Sequence, residues 1–412
     1  MPRIRVRLTN DSGSFAIDPS DDRRQWGSPL ANVSKLLHTT TDPETFLENL
    51  TLDTSDVEKL REARLYVRAF LKEWFAARSR QGLGFVIEPR FFTQGSVSYK
   101  TINYPIYVPK QQMDMDDGCY LPLNFVRGAQ PSDAATLFFA FIDEALRHLA
   151  KEKGWRFVEK PTCCRLVIAD DAHVDIPLYA IPDREFQTLE KAAHASADMV
   201  TKRMAAGDTA LKWEDLPADS VLLAHREKDW IASDPRKIRK WFVDAVEVHG
   251  EILRRVCRYL KGWRDYNHPT LDGVSSIILM ACAFEVFEEM GRRDMPTRED
   301  LALLTVVERL PKLLEGPVLN PADRSEKLDA KLDSEQREVA IAEARRLHAN
   351  VREAVHHSAN CQEAVAAMQE AFGDRIPNRP DLVNIAEAAR AEVRSHAPKI
   401  VAAPTVGRST SG

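Results

Sequence analysis

Two short runs, "MDMDD" at 113–117 and "HVDIP" at 173–177, limit what this 412-residue chain can become. Side chains on a strand alternate between faces, so Asp114 and Asp116 share one face while Met113, Met115 and Asp117 take the other. In the second run Asp175 shares its face with His173, and Val174 and Ile176 point the opposite way. A D-x-D alone also fits a plain surface strand. The apolar setting of both runs argues for more, because unpaired carboxylates among Met, Val and Ile are poorly placed in an ordinary core. Carboxylates crowded on one face repel each other unless a divalent cation neutralises them, and hard oxygen ligands select Mg²⁺ or Mn²⁺ over zinc. A neighbouring hairpin strand would bring Asp175 to the same metals, and three acids can hold two ions. In a two-metal phosphoryl-transfer centre, one ion activates the attacking hydroxyl and the other holds the triphosphate and the leaving pyrophosphate. The Gly95-Ser96 step upstream then has a use: glycine lets a phosphate approach the backbone, and serine adds a hydroxyl donor.

The surrounding pattern predicts an α+β lobe followed by a helical one. After a polar, turn-rich segment over residues 1–50, "DVEKLREARLYVRAFLKEWFAARSR" has helical spacing, with Thr54 and Ser55 as candidate caps. Two strand-like runs lie between 84 and 123, and "PSDAATLFFAFIDEALRHLAKEKGW" reads as a helix capped by Ser132. "CRLVIADDAHVDIPLYAIP" reads as a hairpin turning at Asp170-Asp171-Ala172. A polar connection over 205–225 leads into a helix capped by Ser233 or Asp234, with Pro235 in its first turn. Later helices are expected at 275–290, 299–314, 334–357 and 360–372, and a disordered tail from 397. The expected units are thus an N-terminal segment (1–50), a catalytic lobe (51–225), a helical lobe (226–396) and a tail (397–412).

A net charge of −5 and 29% charged residues exclude a polybasic nucleic-acid binder, so any nucleotide contact is a local basic patch. One such patch lies on "RRVCRYLK", where Arg254, Arg258 and Lys261 fall on one helix face; a solvated face is the plain alternative for the two arginines. The six cysteines form no C-x-x-C pair, which fits a reducing cytoplasm, and no segment is long and apolar enough for a membrane span or a signal core. His173 reads as a hydrogen-bonding partner rather than a ligand.

The order Gln94-Gly95-Ser96, then Asp114-Met115-Asp116, then Asp175 resembles the nucleotidyltransferase superfamily of poly(A) polymerase and oligoadenylate synthase. The stretches "TQGSVSYKT", "MDMDDGCYLPL", "HVDIPLYAIPDREFQ", "DWIASDPRKIRKWF", "RRVCRYLKGWRD" and "SSIILMA" together look like the DncV-type cyclic GMP–AMP synthases of bacterial anti-phage signalling, over about residues 55–290. The resemblance implies a polymerase-beta-like mixed-sheet lobe facing a helical lobe, with two nucleoside triphosphates, ATP and GTP, in the cleft between them. It implies Asp114, Asp116 and Asp175 as catalytic acids holding two Mg²⁺ ions, Mn²⁺ being an alternative, with Asp175 helping to deprotonate the attacking ribose hydroxyl. It places Gln94, Gly95, Ser96 and Tyr99 at the first nucleotide, and Arg165, Ser233, Lys261 and Ser276 along the cleft. The family's acid in the "EGPVLNPADRSEKL" loop would be Asp323, with a register that slips by about two residues.

The implied product is a cyclic dinucleotide, 3′,3′-cyclic GMP–AMP, made through a linear intermediate and read by a downstream effector. With no zinc-ribbon pattern, a DNA requirement is not implied. Gly412, at the end of "GRSTSG", suits joining to a target by partners related to ubiquitin-activating and ubiquitin-conjugating enzymes. Two other readings keep part of this picture: a non-cyclising, oligonucleotide-forming or tailing nucleotidyltransferase, and a nucleotide- or RNA-binding sensor.

Overall fold

The computed structural model describes residues 31–83, 88–122, 131–181 and 221–385. Helix α1 (Ser34–Leu37) and α2 (Phe46–Asn49) precede the long α3 (Thr54–Leu83). Along α3, Leu60, Ala63, Val67, Leu71 and Phe75 recur at three- and four-residue spacing and are all buried. Its cap is Asp53, whose Oδ1 accepts from the Asp56 backbone N–H at 2.8 Å and from the Ser55 hydroxyl. Thr54 and Ser55 therefore lie inside the helix, one residue past the expected boundary. Strand β1 (Arg90–Gln94), helix α4 (Gly95–Tyr99), strand β2 (Met113–Pro122) and helix α5 (Pro131–Lys153) follow. Helix α5 starts at Pro131, so Ser132 is not its cap but its second residue.

Strands β3 (Arg156–Glu159), β4 (Cys163–Ala169), β5 (Ala172–Ile181), β6 (Leu222–His225) and β7 (Asp229–Ala232) complete a seven-stranded sheet. Its order is β1-β2-β5-β4-β3, with β6 pairing β5 and β7 pairing β6. Every pair is antiparallel except β2 and β5, which run parallel. The expected polar connection ends early: from Leu222 the chain re-enters the sheet, and it turns helical only after β7. The alternation in β2 is what packs the sheet. Met113 and Met115, with Val174 and Ile176 of β5 and Leu166 of β4, join the apolar stripes of α3 and α5 in one buried cluster. The opposite face carries Asp114, Asp116 and Asp175 toward one end and a smaller buried cluster of Tyr120, Tyr179 and Ile181 toward the other.

The second core is helical: α6 (Pro235–His249), α7 (Glu251–Tyr266), α8 (Ser276–Asp294), α9 (Glu299–Leu314), α10 (Ser334–Arg352) and α11 (Cys361–Phe372). A small hairpin, β8 (Leu319–Asn320) and β9 (Asp323–Lys327), sits between α9 and α10. Asp234 caps α6 by accepting from Arg236 N–H, with Pro235 at the first position. Residues 31–50, polar on average, supply Leu36, Leu37, Phe46 and Leu50 to this core, each fully buried. Among the described residues no helix is long and apolar enough to cross a membrane.

A strap over 99–112 ties the two cores together. Asn103 and Arg258 bond reciprocally: Asn103 Nδ2 donates to the Arg258 carbonyl at 2.9 Å, and Arg258 Nε donates to Asn103 Oδ1 at 3.0 Å. Arg254 Nε donates to the Tyr99 carbonyl, Tyr107 Oη to the Tyr266 carbonyl and Gln111 Nε2 to the Asp265 carbonyl. The strap thereby fixes the separation of sheet and helices.

Candidate active site

The polar face of the sheet and the helical core enclose a cleft of about 570 Å³, a size suited to small-molecule ligands. Its floor is set by register. Asp114 pairs with His173 and Asp116 with Asp175 across the parallel β2–β5 ladder, so these side chains emerge side by side. One ligand atom each from Asp114, His173 and Asp175 lies within 4.8 Å of the others. The neighbouring Asp117 faces the other way, buried against Arg68, whose guanidinium donates to both its oxygens.

The electrostatics of the three acids differ. Burial alone would raise Asp114, but its contact with His173, and the charges of His173, Arg165 and Lys261, leave it below the ordinary carboxylate range. Asp116 is pushed well above that range by burial and by repulsion from Asp114 and Asp175. Asp175 receives Arg165 in a bidentate pair, 2.7 Å to each oxygen. A divalent cation suits this donor set: it would relieve the repulsion that pushes Asp116 up, and it would be met by carboxylate oxygens.

Helix α4 opens at the edge of the floor. Gly95 has φ +64°, and a Cβ placed there would lie 1.9 Å from Asp116 Oδ2, so only glycine lets the loop pass the acid. Gly95, Ser96 and Tyr99 line the cleft. Tyr99 is buried, and its phenol is pushed far up by burial and by Asp116. The opposite wall carries Lys261, Arg264 and Ser276. Lys261 is buried, donates to the Thr101 carbonyl, and has its pKa lowered to about 8 by burial and by the nearby Arg264. Ser276 begins α8 and accepts from Arg264 at 2.7 Å.

Several expected residues stand elsewhere. Gln94, paired with Asp116 and on the same face, is buried beside the floor without lining the cleft, its amide donating to Tyr179 Oη at 3.0 Å. Ser233 links β7 to α6 and its backbone N–H donates to the Val221 carbonyl; it does not line the cleft. Arg165, paired with Asp175 from the neighbouring strand β4, stands beside that acid and does not itself line the cleft. Asp323 is fully exposed on β9, and its carboxylate accepts from the Ser325 hydroxyl and backbone. Three residues on, Glu326 lines the cleft, its carboxylate accepting from Asn320 Nδ2 at 2.6 Å. Arg254 and Arg258 share a face with Lys261 but are used up by the strap. Gly412 lies outside the described residues.

Sequence reasoning missed Thr101, Gln112, Arg264 and Glu326, all of which line the cleft. Two had a signal: Gln112 continues the alternation of Asp114 and Asp116 by one step, and Arg264 continues the face of Lys261 by three residues. Thr101 sits in the strap, where no period applies, and Glu326 in β9, a strand too short for its period to stand out.

The model of the DncV-like nucleotidyltransferase domain of cyclic GMP–AMP synthase matches residues 89–179, and that of the cyclic GMP–AMP synthase C-terminal domain matches residues 250–385. A cyclic GMP–AMP synthase of Escherichia coli (strain TW11681) is 33% identical over 312 residues, 73% of this chain and 71% of its own. A Vibrio cholerae cyclic GMP–AMP synthase is 32% identical over 314 residues, with shares of 73% and 71%. Among solved structures, Vibrio cholerae DncV cyclic AMP–GMP synthase in complex with the linear intermediate 5′ pppA(3′,5′)pG has a TM-score of 0.71 at 25% identity, covering 87% of this chain and all of that one. The same enzyme in complex with GTP and 5MTHFGLU2 has a TM-score of 0.71 at 25% identity, covering 87% and 99%. With both family domains matched in order around the acid floor described above, the chain belongs to the DncV-type cyclic GMP–AMP synthase family and is a nucleotidyltransferase.

Proposed function

We propose that this enzyme joins ATP and GTP into 3′,3′-cyclic GMP–AMP, a second messenger of anti-phage defence that acts through a downstream effector. The observation that carries the reading is the juxtaposition of Asp114, Asp116 and Asp175 on paired parallel strands with Gly95-Ser96 at their edge and Lys261 and Arg264 across the cleft. Asp114, Asp116 and Asp175 would hold Mg²⁺, as two ions, which supply Lewis-acid activation of the attacking hydroxyl and charge neutralisation of the leaving pyrophosphate.

The chain's own groups do the rest. Gly95 and Ser96 receive the donor triphosphate against the backbone, and Lys261 and Arg264 offset its charge from the far wall. A ribose 3′ hydroxyl attacks the α-phosphorus of the second nucleotide, its proton passes toward Asp175, and pyrophosphate leaves. A second identical transfer closes the ring, so two triphosphates give one cyclic dinucleotide and two pyrophosphates. Asp175 takes part only after Arg165 yields one of its oxygens. Glu326, in place of Asp323, is the loop acid that meets a base edge.

Incubation with Mg²⁺ and all four labelled nucleoside triphosphates, followed by phosphatase and nuclease treatment and mass analysis, tests this. A phosphatase-resistant species of the mass of cyclic GMP–AMP, absent with Asp114→Ala/Asp116→Ala, is expected. Linear oligomers would favour a tailing enzyme, and no product with any nucleotide set would favour a sensor.

A further inference from the structure

Arg264 meets the cleft from the last turn of α7 in a pose that its own helix does not dictate. Residues one apart on a helix do not face each other. Arg264 nevertheless bends round to its neighbour Asp265, and its Nε and Nη2 both donate to Asp265 Oδ1, at 3.0 and 2.6 Å. On the other terminal nitrogen, Nη1 donates to Ser276 Oγ at 2.7 Å. A guanidinium carries five N–H groups, so three are engaged and one remains on each terminal nitrogen. Both side chains line the cleft and are mostly sealed, with 22% of Arg264 and 13% of Asp265 exposed.

Asp265 is itself fixed through its main chain. The last carbonyls of a helix have no partner within it, and the strap supplies donors to two of them: Gln111 Nε2 to the Asp265 carbonyl at 2.8 Å and Tyr107 Oη to the Tyr266 carbonyl at 3.0 Å. Gln111 Oε1 in turn accepts from the Ile106 and Tyr107 backbone N–H groups, at 3.1 and 3.3 Å, which holds the amide in place. The acid that grips Arg264 is therefore a fixed point of the contact between strap and helix.

We propose that Asp265 is a positioning residue, which holds the Arg264 guanidinium so that its two remaining N–H groups meet the triphosphate of a bound nucleotide. An arginine fixed in advance gives its paired contact to phosphate without losing side-chain freedom on binding. The charge of Asp265 by itself works against an anionic ligand, so orientation has to outweigh that repulsion. Lys261 and Arg375 also feel the Asp265 charge, which makes plain charge balance among buried cations the competing role. The inference rests on the proposed seat of the triphosphate against Lys261 and Arg264.

The test is calorimetric titration of the full-length protein, with Mg²⁺ present, by the α,β-methylene analogues of ATP and GTP, whose α–β bridge cannot be cleaved, so that no turnover enters. Wild type, Asp265→Ala, Arg264→Ala and the double variant form a cycle, each with a thermal melt. Arg264→Ala is expected to weaken at least one analogue by about 10–100-fold, as loss of a charge-assisted bond does. Asp265→Ala is expected to weaken the same analogue by about tenfold, and to add no loss beyond about twofold once Arg264 is gone, because the group it acts through is absent. Asp265→Asn, which keeps the accepting oxygen without the charge, should fall between wild type and Asp265→Ala. Affinity in Asp265→Ala equal to or tighter than wild type overturns the proposal, since the acid would then only repel the ligand. Equal losses with and without Arg264 overturn it too, because charge balance or packing would be acting alone. An Arg264→Ala variant that binds both analogues as wild type does overturns the seat of the triphosphate, and the positioning role with it. If Asp265→Ala does not fold, Asp265→Asn with and without Arg264 decides by the same criteria.

Discussion

The two walls of the cleft are built on different rules. The sheet wall takes its polar groups from strands, where a period of two and the ladder register place Asp114, Asp116, His173 and Asp175 together without further help. The helical wall takes them from α7, where Arg254, Arg258 and Lys261 share a face and yet do different things. Only Lys261 reaches the cleft, together with Arg264, while the two arginines are engaged by strap and loop oxygens. A shared face on a helix thus says which charges are neighbours, and the segment packed against that face says which remain available to a ligand.

The comparison is broken most severely from the sheet side. Asp114→Ala/Asp116→Ala is expected to lower dinucleotide formation by at least about 10³-fold, since it removes the groups that, on the proposed reading, would hold charge-neutralising cations. Gly95→Ala is expected to lower it by about 10²-fold, because the new methyl overlaps Asp116 and the residue is held at φ +64°. Both are read as initial rates of pyrophosphate release, with a thermal melt to show that the fold survives.

The helical wall predicts a split between neighbours. Lys261→Ala is expected to reduce kcat/KM for the triphosphates by about 10–100-fold, as loss of a charged contact in a buried site does. Arg258→Ala is expected to leave kcat near wild type and to cost about 1–3 kcal/mol in urea unfolding, because its side chain bonds Asn103 and Thr51 rather than substrate. Equal kinetic damage from both would erase the distinction drawn here.

A pH profile sharpens it. With its pKa lowered to about 8, Lys261 loses its charge as pH rises through that value, so kcat/KM should fall above about pH 8, and Lys261→Arg should lack that limb. The stability effect has the opposite sign. Between about 8 and the ordinary 10.5 the unfolded chain binds the proton and the folded one does not, so stability rises with pH across this window. The smallest effect separates two acids three residues apart: Asp323→Ala should change activity by less than about twofold, as exposed sites away from a ligand do, whereas Glu326→Gln should shift nucleotide preference.

What could be read from the sequence follows the same division. The alternation around Asp114 and Asp175, the Asp170-Asp171 turn and the Asp234-Pro235 helix start appear in the structure as expected, because each is decided within a few residues. The cap of α3 was displaced by one residue to Asp53, where Asp, Thr and Ser stand in a row and only the hydrogen bond tells them apart. Strands β6 and β7 escaped because four-residue strands carry too little period to stand out from a polar connection. Glu326 and Thr101 escaped because the β8–β9 hairpin and the strap are placed by long-range contacts with α7 and α8, such as Lys261 with the Thr101 carbonyl and Arg324 with Glu285, which no local pattern encodes.

The parallel register of β2 and β5 also makes catalytic competence a test of correct folding. Val174 and Ile176, fully buried, alternate with His173 and Asp175 along one strand. A slip of one residue would turn the apolar pair into the cleft and drive the two polar groups into the core, so the packing that stabilises the sheet rejects any misaligned copy. A molecule that has reached its native core has therefore also assembled its acid floor, and one that has not can neither persist nor make product.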